Sequence, residues 1–148
     1  MVNFIFPNIH NVNTSPLPLI LYVDDDADDI YFFSESLAKS TTKVNFTSAG
    51  NGEEALYYLH EISRLEELPS LIILDLNMPR QDGRKTLRYL KESPVFTDIP
   101  VVILSTSESK MDRETCEQLG AVSYIQKPTY FEGYAQVIED CLGYVLRA

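Results

Sequence analysis

The sequence is short of positive charge. Asp and Glu number 22 among its 148 residues and Lys and Arg only 12, which gives a formal net charge of −10 at pH 7. A general nucleic-acid binder needs a basic face to neutralise phosphates, so we expect no direct binding to DNA. The length fits one ordinary domain, and the 45% of hydrophobic residues is typical of a globular one.

Long apolar runs are also missing. Apolar runs such as Leu71–Leu74 and Val101–Leu104 are far shorter than the roughly 20 residues of a membrane span. Residues 1–18 contain no Asp, Glu, Lys or Arg, so they lack the basic start of a secretory signal. We therefore expect a cytoplasmic protein with an irregular N-terminal extension over residues 1–18. Apolar residues between Phe4 and Ile9 could dock on the domain or on a partner, or form only a flexible tail.

Cysteine and glycine-rich motifs are scarce as well. Cys116 and Cys141 are the two cysteines, both on segments with helical patterning. One disulfide between them is compatible with the sequence, but two free, partly buried thiols in a reducing compartment are favoured. Neither GxGxxG nor GxxxxGK[ST] occurs, so dinucleotide and P-loop sites lack their phosphate cradle.

Short apolar runs alternate with segments of helical period. The runs predict strands at 19–23, 44–48, 71–75, 101–105 and 122–126. Because these runs are continuous rather than alternating, they suit strands that are covered on both faces. Five strand-then-helix repeats predict an α/β fold with a doubly wound parallel sheet and helices on both faces.

Polar residues at several positions predict helix ends. A short polar residue three positions before an acid is typical of a helix start, and a glycine often follows a helix end. The predicted starts are Asn51 with Glu54, Ser109 with Asp112, and Thr129 with Glu132, and the predicted end of the fourth helix is Gly120.

Four of the five predicted strands end in, or are followed directly by, polar and charged residues. They are Asp24-Asp25-Asp26, Asp75, Ser105-Thr106 and Lys127-Pro128. In a parallel sheet ligands bind beyond the carboxyl ends of the strands, so we expect these side chains to share one edge. Clustered carboxylates repel one another unless a cation joins them, and oxygen ligands suit Mg²⁺. A lysine and a hydroxyl nearby can bind a phosphoryl group, so the set favours a carboxylate that accepts phosphoryl beside Mg²⁺.

The acidic run at 24–29 also has a simpler interpretation. Acids at a helix start often only cap the helix and favour its dipole, and we prefer that role for Asp26, Asp28 and Asp29. For Asp24 and Asp25, taken alone, the two interpretations are evenly balanced. Asp75 is harder to explain this way, because an ionisable group that closes a buried strand is costly unless it is satisfied by partners or used in chemistry.

Four motifs together resemble the receiver domain of two-component response regulators. They are YVDDD at 22–26, ILDLNMPRQDG at 73–83, VVILSTS at 101–107 and SYIQKP at 123–128. The resemblance covers about residues 19–146, and it assigns residues 19–148 to a single CheY-like receiver domain. It implies a flavodoxin-like (βα)5 fold with five parallel strands.

The resemblance also implies roles for individual residues. Asp75 would be the phosphoacceptor, and Asp24, Asp25, Asp75 and the backbone carbonyl of Asn77 would bind Mg²⁺. Ser105 and Lys127 would contact the phosphoryl oxygens, and Ser105 with Tyr124 would form the conformational switch. Three consecutive Asp allow a one-residue slip in the acidic pair, and we choose Asp24 and Asp25 because they directly follow Val23.

Further details of the loops follow from the resemblance. The Lys127–Pro128 bond would be cis, a state that is accessible at low cost only before proline. Met78-Pro79 and Asp82-Gly83 would shape the loop after Asp75. Thr106 stands where the family often has a smaller residue, and it could restrict access to the phosphate or simply face solvent.

These features predict a single-domain response regulator rather than an enzyme. It would take phosphoryl from a sensor histidine kinase or a histidine phosphotransfer protein and signal by contact with a downstream protein or a second copy of itself. One alternative is a receiver fold that acts as an interaction module without phosphorylation. Another is a hydrolase of the haloacid dehalogenase class, but its D-x-D-x-T motif is not met, because the second residue after Asp75 is Asn77.

Overall fold

The computed structural model describes residues 16–78 and 82–146, and within them five strands form one parallel sheet. The order across the sheet is β2-β1-β3-β4-β5. The strands are β1 (Leu19–Val23), β2 (Asn45–Ala49), β3 (Leu71–Leu74), β4 (Val101–Ser105) and β5 (Ser123–Gln126). Each strand begins and ends within one residue of its prediction, and the doubly wound α/β fold is confirmed.

Helices cover both faces of the sheet. They are α1 (Ala27–Ala38), α2 (Gly52–Ser63), α3 (Gly83–Glu92), α4 (Lys110–Gln118) and α5 (Tyr134–Val145). Successive strand residues point to opposite faces, so Tyr22 packs in one core cluster with Phe33 of α1, while Val23 packs in the other with Leu59 and Leu87. As a result α1 and α5 cover one face, and α2, α3 and α4 cover the other. Among the described residues, no helix has the length and apolar composition of a membrane span.

The two cysteines lie on opposite faces of the sheet. Cys116 belongs to the core cluster under α2, α3 and α4, and Cys141 to the cluster under α1 and α5. Both are free and buried, which confirms the prediction of two thiols. A disulfide between them is not formed because the sheet separates them.

Local helix signals are mostly confirmed. The Asn51 side chain accepts a hydrogen bond from the Glu54 N–H at 2.9 Å, and the Ser109 hydroxyl accepts one from the Asp112 N–H at 3.3 Å. Gly120 follows the end of α4 with φ +106°, a conformation that residues with a side chain rarely adopt. These signals act within one turn, so the sequence alone was enough to find them.

The predicted helix start at Thr129 and Glu132 is wrong. A short 3-10 turn at Phe131–Gly133 comes first, with no side-chain cap, and α5 begins only at Tyr134. This turn brings Gly133 back against Pro128, so closely that an added Cβ would be 2.6 Å from the Cβ of Pro128. Residues 1–15 of the predicted extension lie outside the described residues.

Candidate functional site

The carboxyl ends of β1 and β3 form the centre of the candidate site. These strands are neighbours in the sheet, and the chain order reverses beside them, which opens a crevice at this edge. The Asp75 N–H donates a hydrogen bond to the Val23 carbonyl at 3.0 Å, so Asp24 and Asp75 lie side by side. Carboxylate oxygens of Asp24, Asp25 and Asp75 all lie within 4.8 Å of one another. The structure therefore brings together the acidic residues that the sequence placed at separate strand ends.

Lys127 brings positive charge to these carboxylates. Its backbone N–H donates to the Ser105 carbonyl at 2.7 Å, which holds the loop after β5 at the same edge. Its Nζ lies 2.8 Å from Asp24 Oδ2 and 3.6 Å from Asp75 Oδ1. The side chain is only 7% exposed. Burial alone would lower the pKa of Lys127, but its acidic partners raise it, so the ammonium stays charged.

Asp24 is fully buried and its carboxylate is well satisfied. Its Oδ2 accepts hydrogen bonds from the Tyr22 hydroxyl at 2.7 Å and from Lys127, and its Oδ1 accepts one from the Asp26 N–H at 2.9 Å. Burial, and then the Asp24 charge, raise the pKa of Tyr22, so this hydroxyl remains a neutral donor. The buried charge is thereby held in one orientation, facing Lys127.

Burial and a neighbouring negative charge disfavour the ionised form of Asp75. It is buried, and burial raises its pKa to about 6, with the Asp24 charge adding to the effect. Lys127 and a backbone hydrogen bond from Asn77 pull the pKa the other way without cancelling the rise. Binding a cation, or forming a bond to an electrophile, would offset this unfavourable negative charge.

The donor set fits a hard divalent cation. All three clustered groups are carboxylates, and Asp25 is exposed, so water can complete a coordination sphere there. Asp26 is not part of the set, because its side chain caps α1 by accepting from the N–H groups of Asp28 and Asp29. The clustered pair is therefore Asp24 and Asp25, as chosen from the sequence. Asn77 follows Asp75 on the exposed side of the site.

Asp29 contacts Lys127, which the sequence reasoning missed. It lies in the first turn of α1, where we expected it only to favour the helix dipole. Instead its Oδ2 lies 2.7 Å from Lys127 Nζ, and its Oδ1 lies 3.5 Å from the Tyr134 hydroxyl. The available signal was that α1 starts at the edge where the acidic cluster lies. The partner is 98 positions away along the chain, so no local pattern identifies it.

Ser105 and Tyr124 are connected through the loop that follows β4. The buried Ser105 hydroxyl accepts a hydrogen bond from the Ser107 N–H at 3.1 Å. The Tyr124 hydroxyl donates to the Ser107 carbonyl at 2.9 Å, and the Tyr124 side chain is buried. The Arg113 guanidinium lies over the Tyr124 ring, 4.9 Å from its centroid. Thr106, which lies between Ser105 and Ser107 in the chain, is exposed.

The loop after Asp75 closes tightly on the start of α3. Met78 is buried in the core, and Pro79 lies outside the described residues. Asp82 caps α3 by accepting a hydrogen bond from the Arg84 N–H. A Cβ at Gly83 would lie 2.3 Å from the backbone oxygen of Asp75, so only glycine fits there. The requirement at Gly83 is close approach of two backbone segments.

The prediction of a cis bond between Lys127 and Pro128 is wrong. The described residues contain no cis peptide bond, so this bond is trans. The two isomers of a bond before proline differ by only about 0.5–1 kcal/mol, so local sequence does not decide between them.

Comparison with known proteins identifies the family. A family model described as the response regulator receiver domain matches residues 20–139. The chain belongs to the response regulator receiver family. Response regulator Rcp1 of Synechocystis sp. is 34% identical over 116 residues, which cover 77% of this chain and 79% of Rcp1. Two other curated relatives are longer: the match covers 40% of the probable C4-dicarboxylate response regulator DctR of Bacillus subtilis, which is 37% identical, and 27% of a probable cyclic di-GMP phosphodiesterase of Vibrio cholerae, which is 30% identical.

Solved receiver structures agree with the fold. The phosphorylated cyanobacterial phytochrome response regulator RcpA has a TM-score of 0.80 and 33% identity, with 88% of this chain and 94% of that chain covered. The Mn²⁺-bound form of Rcp1 has a TM-score of 0.74 and 30% identity, with 83% and 90% covered. The flavodoxin-like receiver fold and the place of the chain in two-component signalling are thus shown. Receiver domains bind a divalent metal at an acidic pocket, as in the Mn²⁺-bound form of Rcp1, and the described residues of this chain contain an acidic cluster of Asp24, Asp25 and Asp75.

Proposed function

We propose that the chain is a single-domain response regulator that accepts a phosphoryl group on Asp75. The donor is a phosphohistidine of a sensor histidine kinase or a histidine phosphotransfer protein, and the reaction depends on Mg²⁺. The observation that carries the proposal is the convergence of Asp24, Asp25 and Asp75 within 4.8 Å, with Lys127 Nζ 3.6 Å from the acceptor. Residues 19–148 would form the receiver domain, and residues 1–18 an extension.

The transfer step uses the Asp75 carboxylate as nucleophile. One of its oxygens forms a bond to phosphorus while the bond from phosphorus to the histidine nitrogen breaks, and the electron pair stays on the imidazole. Asp24, Asp25, Asp75 and the Asn77 carbonyl would hold Mg²⁺, which neutralises phosphoryl oxygens when bound. Lys127 would bind another of these oxygens through its charged ammonium.

The loop after β4 offers a route from the phosphate to the surface. The Ser105 hydroxyl is held by the Ser107 N–H, so its movement toward a phosphoryl oxygen would release that bond. The same Ser107 carries the carbonyl that binds the Tyr124 hydroxyl. Phosphorylation would therefore shift the populations of the Tyr124 side chain and of the surface formed by α4, β5 and α5.

We further propose that output passes through protein contact. The recipient is a downstream protein or a second copy of this chain, and not DNA, which fits the net charge of −10. No turnover of an external substrate is assigned to the chain. The buried free thiols fit a reducing compartment, and we place the protein in the cytoplasm.

Intact-mass measurement tests phosphorylation directly. Purified protein is incubated with Mg²⁺ and acetyl phosphate, an acyl phosphate that can stand in for the kinase. We expect one phosphoryl group per chain, and its loss when a chelator removes the ion. Asp75→Asn should gain none. Asp28→Asn, which removes the same charge at an exposed position, should behave as wild type. An unmodified wild type, or equal labelling of Asp75→Asn, would refute the proposal.

A further inference from the structure

Capping of α1 does not explain the position of the Asp29 side chain. Asp26 already accepts from the N–H groups of Asp28 and Asp29, so the cap is complete without the Asp29 carboxylate. That carboxylate is instead part-buried and turned to Lys127 and Tyr134. Asp28, in the same helical turn, is exposed. Asp28 and Asp29 therefore carry the same charge at neighbouring positions, but Asp29 faces Lys127 and Asp28 faces solvent.

The phosphoacceptor is the most distant of the three carboxylates around Lys127. Nζ lies 2.7 Å from Asp29 Oδ2 and 2.8 Å from Asp24 Oδ2, but 3.6 Å from Asp75 Oδ1. An ammonium has three N–H donors, and two of them have carboxylate partners at hydrogen-bonding distance. The third donor can face a phosphoryl oxygen on Asp75, and Asp29 would then share this cation with the phosphoryl group.

We propose that Asp29 is a positioning residue that holds Lys127 back from Asp75 and so slows phosphoryl uptake. The inference rests on the proposed function. The effect passes through Lys127, because the Asp29 ion pair has to lengthen or weaken as Lys127 turns to the phosphoryl group. Asp24 also binds Lys127, but it belongs to the acidic cluster and its carboxylate is held by the Tyr22 hydroxyl. We therefore assign the positioning role to Asp29.

The rate of phosphorylation by acetyl phosphate with Mg²⁺ tests this role. Asp29→Asn keeps the shape of the side chain and removes the charge, so we expect a rate about three- to fivefold above wild type, the size of one part-exposed ion pair. Asp28→Asn is the matched control and should leave the rate unchanged. An Asp29→Asn rate equal to or below wild type, or an equal gain in Asp28→Asn, would overturn the inference.

A double-mutant cycle shows whether the effect passes through Lys127. In a Lys127→Met background, Asp29→Asn should no longer raise the rate, whereas a gain of the same size would contradict the proposed route. Thermal unfolding checks that each variant folds, and if Lys127→Met does not fold, the Asp29→Asn and Asp28→Asn rates decide alone. A wild type that takes up no phosphoryl refutes the proposed function itself, which separates the two failures.

Discussion

At the scale of single residues, Asp75 shows how a reactive group is maintained at a cost to stability. Its pKa is raised from 3.8 to about 6, first by burial and then by Asp24, so the folded chain resists its ionisation. A carboxyl group whose pKa is raised in the folded state adds stability at pH values below its pKa in the unfolded chain. That stability is lost as the pH rises through the folded pKa of about 6. Near neutral pH, the ionised carboxylate therefore destabilises the metal-free protein.

Replacing Asp75 with a neutral residue of the same shape should relieve this destabilisation. We expect Asp75→Asn to raise the free energy of unfolding at about pH 7 by up to about 3 kcal/mol in the presence of a chelator. The gain should shrink as pH falls through about 6 and vanish below the unfolded pKa of 3.8, because the wild-type carboxyl is then protonated in both the folded and the unfolded state. Urea unfolding of both proteins across this pH range measures the difference, and a gain that does not depend on pH would show another cause.

The site residues differ in how far the sequence could predict them. Asp24, Asp25, Asp75 and Lys127 follow strand ends, and parallel strands bring such ends to one edge, so their meeting was predictable. Asp29 was not, because its contact with Lys127 depends on how α1 sits beside α5 and the loop before it. The same holds for Tyr22, whose place on a buried strand predicted core packing but not its hydrogen bond to Asp24.

At the scale of elements, the connection from β3 to α3 sets the position of Asp75. The Gly83 N–H donates to the Leu76 carbonyl at 2.9 Å, and the missing side chain lets the helix start press against the Asp75 backbone. This loop therefore couples the fold to the position of Asp75. The sequence indicated a constrained loop at Asp82-Gly83, but the need for close approach is visible only in three dimensions.

A methyl group at Gly83 should disturb both stability and chemistry. We expect Gly83→Ala to lower the free energy of unfolding by about 1–3 kcal/mol, since the added Cβ overlaps the Asp75 oxygen and the backbone must shift. Phosphorylation by acetyl phosphate should slow as well. Gly143→Ala is the control: its Cβ would meet nothing within 4 Å, and alanine within α5 should stabilise by about 0.5–1 kcal/mol. Equal effects at both glycines in urea unfolding would contradict the packing argument.

Helix ends illustrate the limit of local rules at this scale. Asn51 and Ser109 act within one turn of their own helix, so a short motif identifies them. Thr129 carries the same motif, but a 3-10 turn that packs against Pro128 comes before α5. A motif therefore predicts a helix start only where the backbone around it is free to enter the helix.

At the scale of the whole molecule, the fold follows from continuous apolar strands separated by amphipathic helices. Each strand contributes residues to two cores, so both faces must be covered, and the sequence pattern already requires that. The order of the strands in the sheet does not follow from the apolar runs in this way, because it depends on which crossovers between strands pack best. That order places β1 beside β3 and thereby joins Asp24 to Asp75.

The central claim is that this convergence makes Asp75 the phosphoacceptor, and locating the modification tests it most directly. Borohydride reduces an acyl phosphate to an alcohol, so treatment of the phosphorylated protein converts the modified aspartate to homoserine. Peptide mass spectrometry then identifies the position. The account predicts homoserine at residue 75 and none at residues 24 or 25. Reduction at either of those residues, or at any other aspartate in place of Asp75, would contradict it.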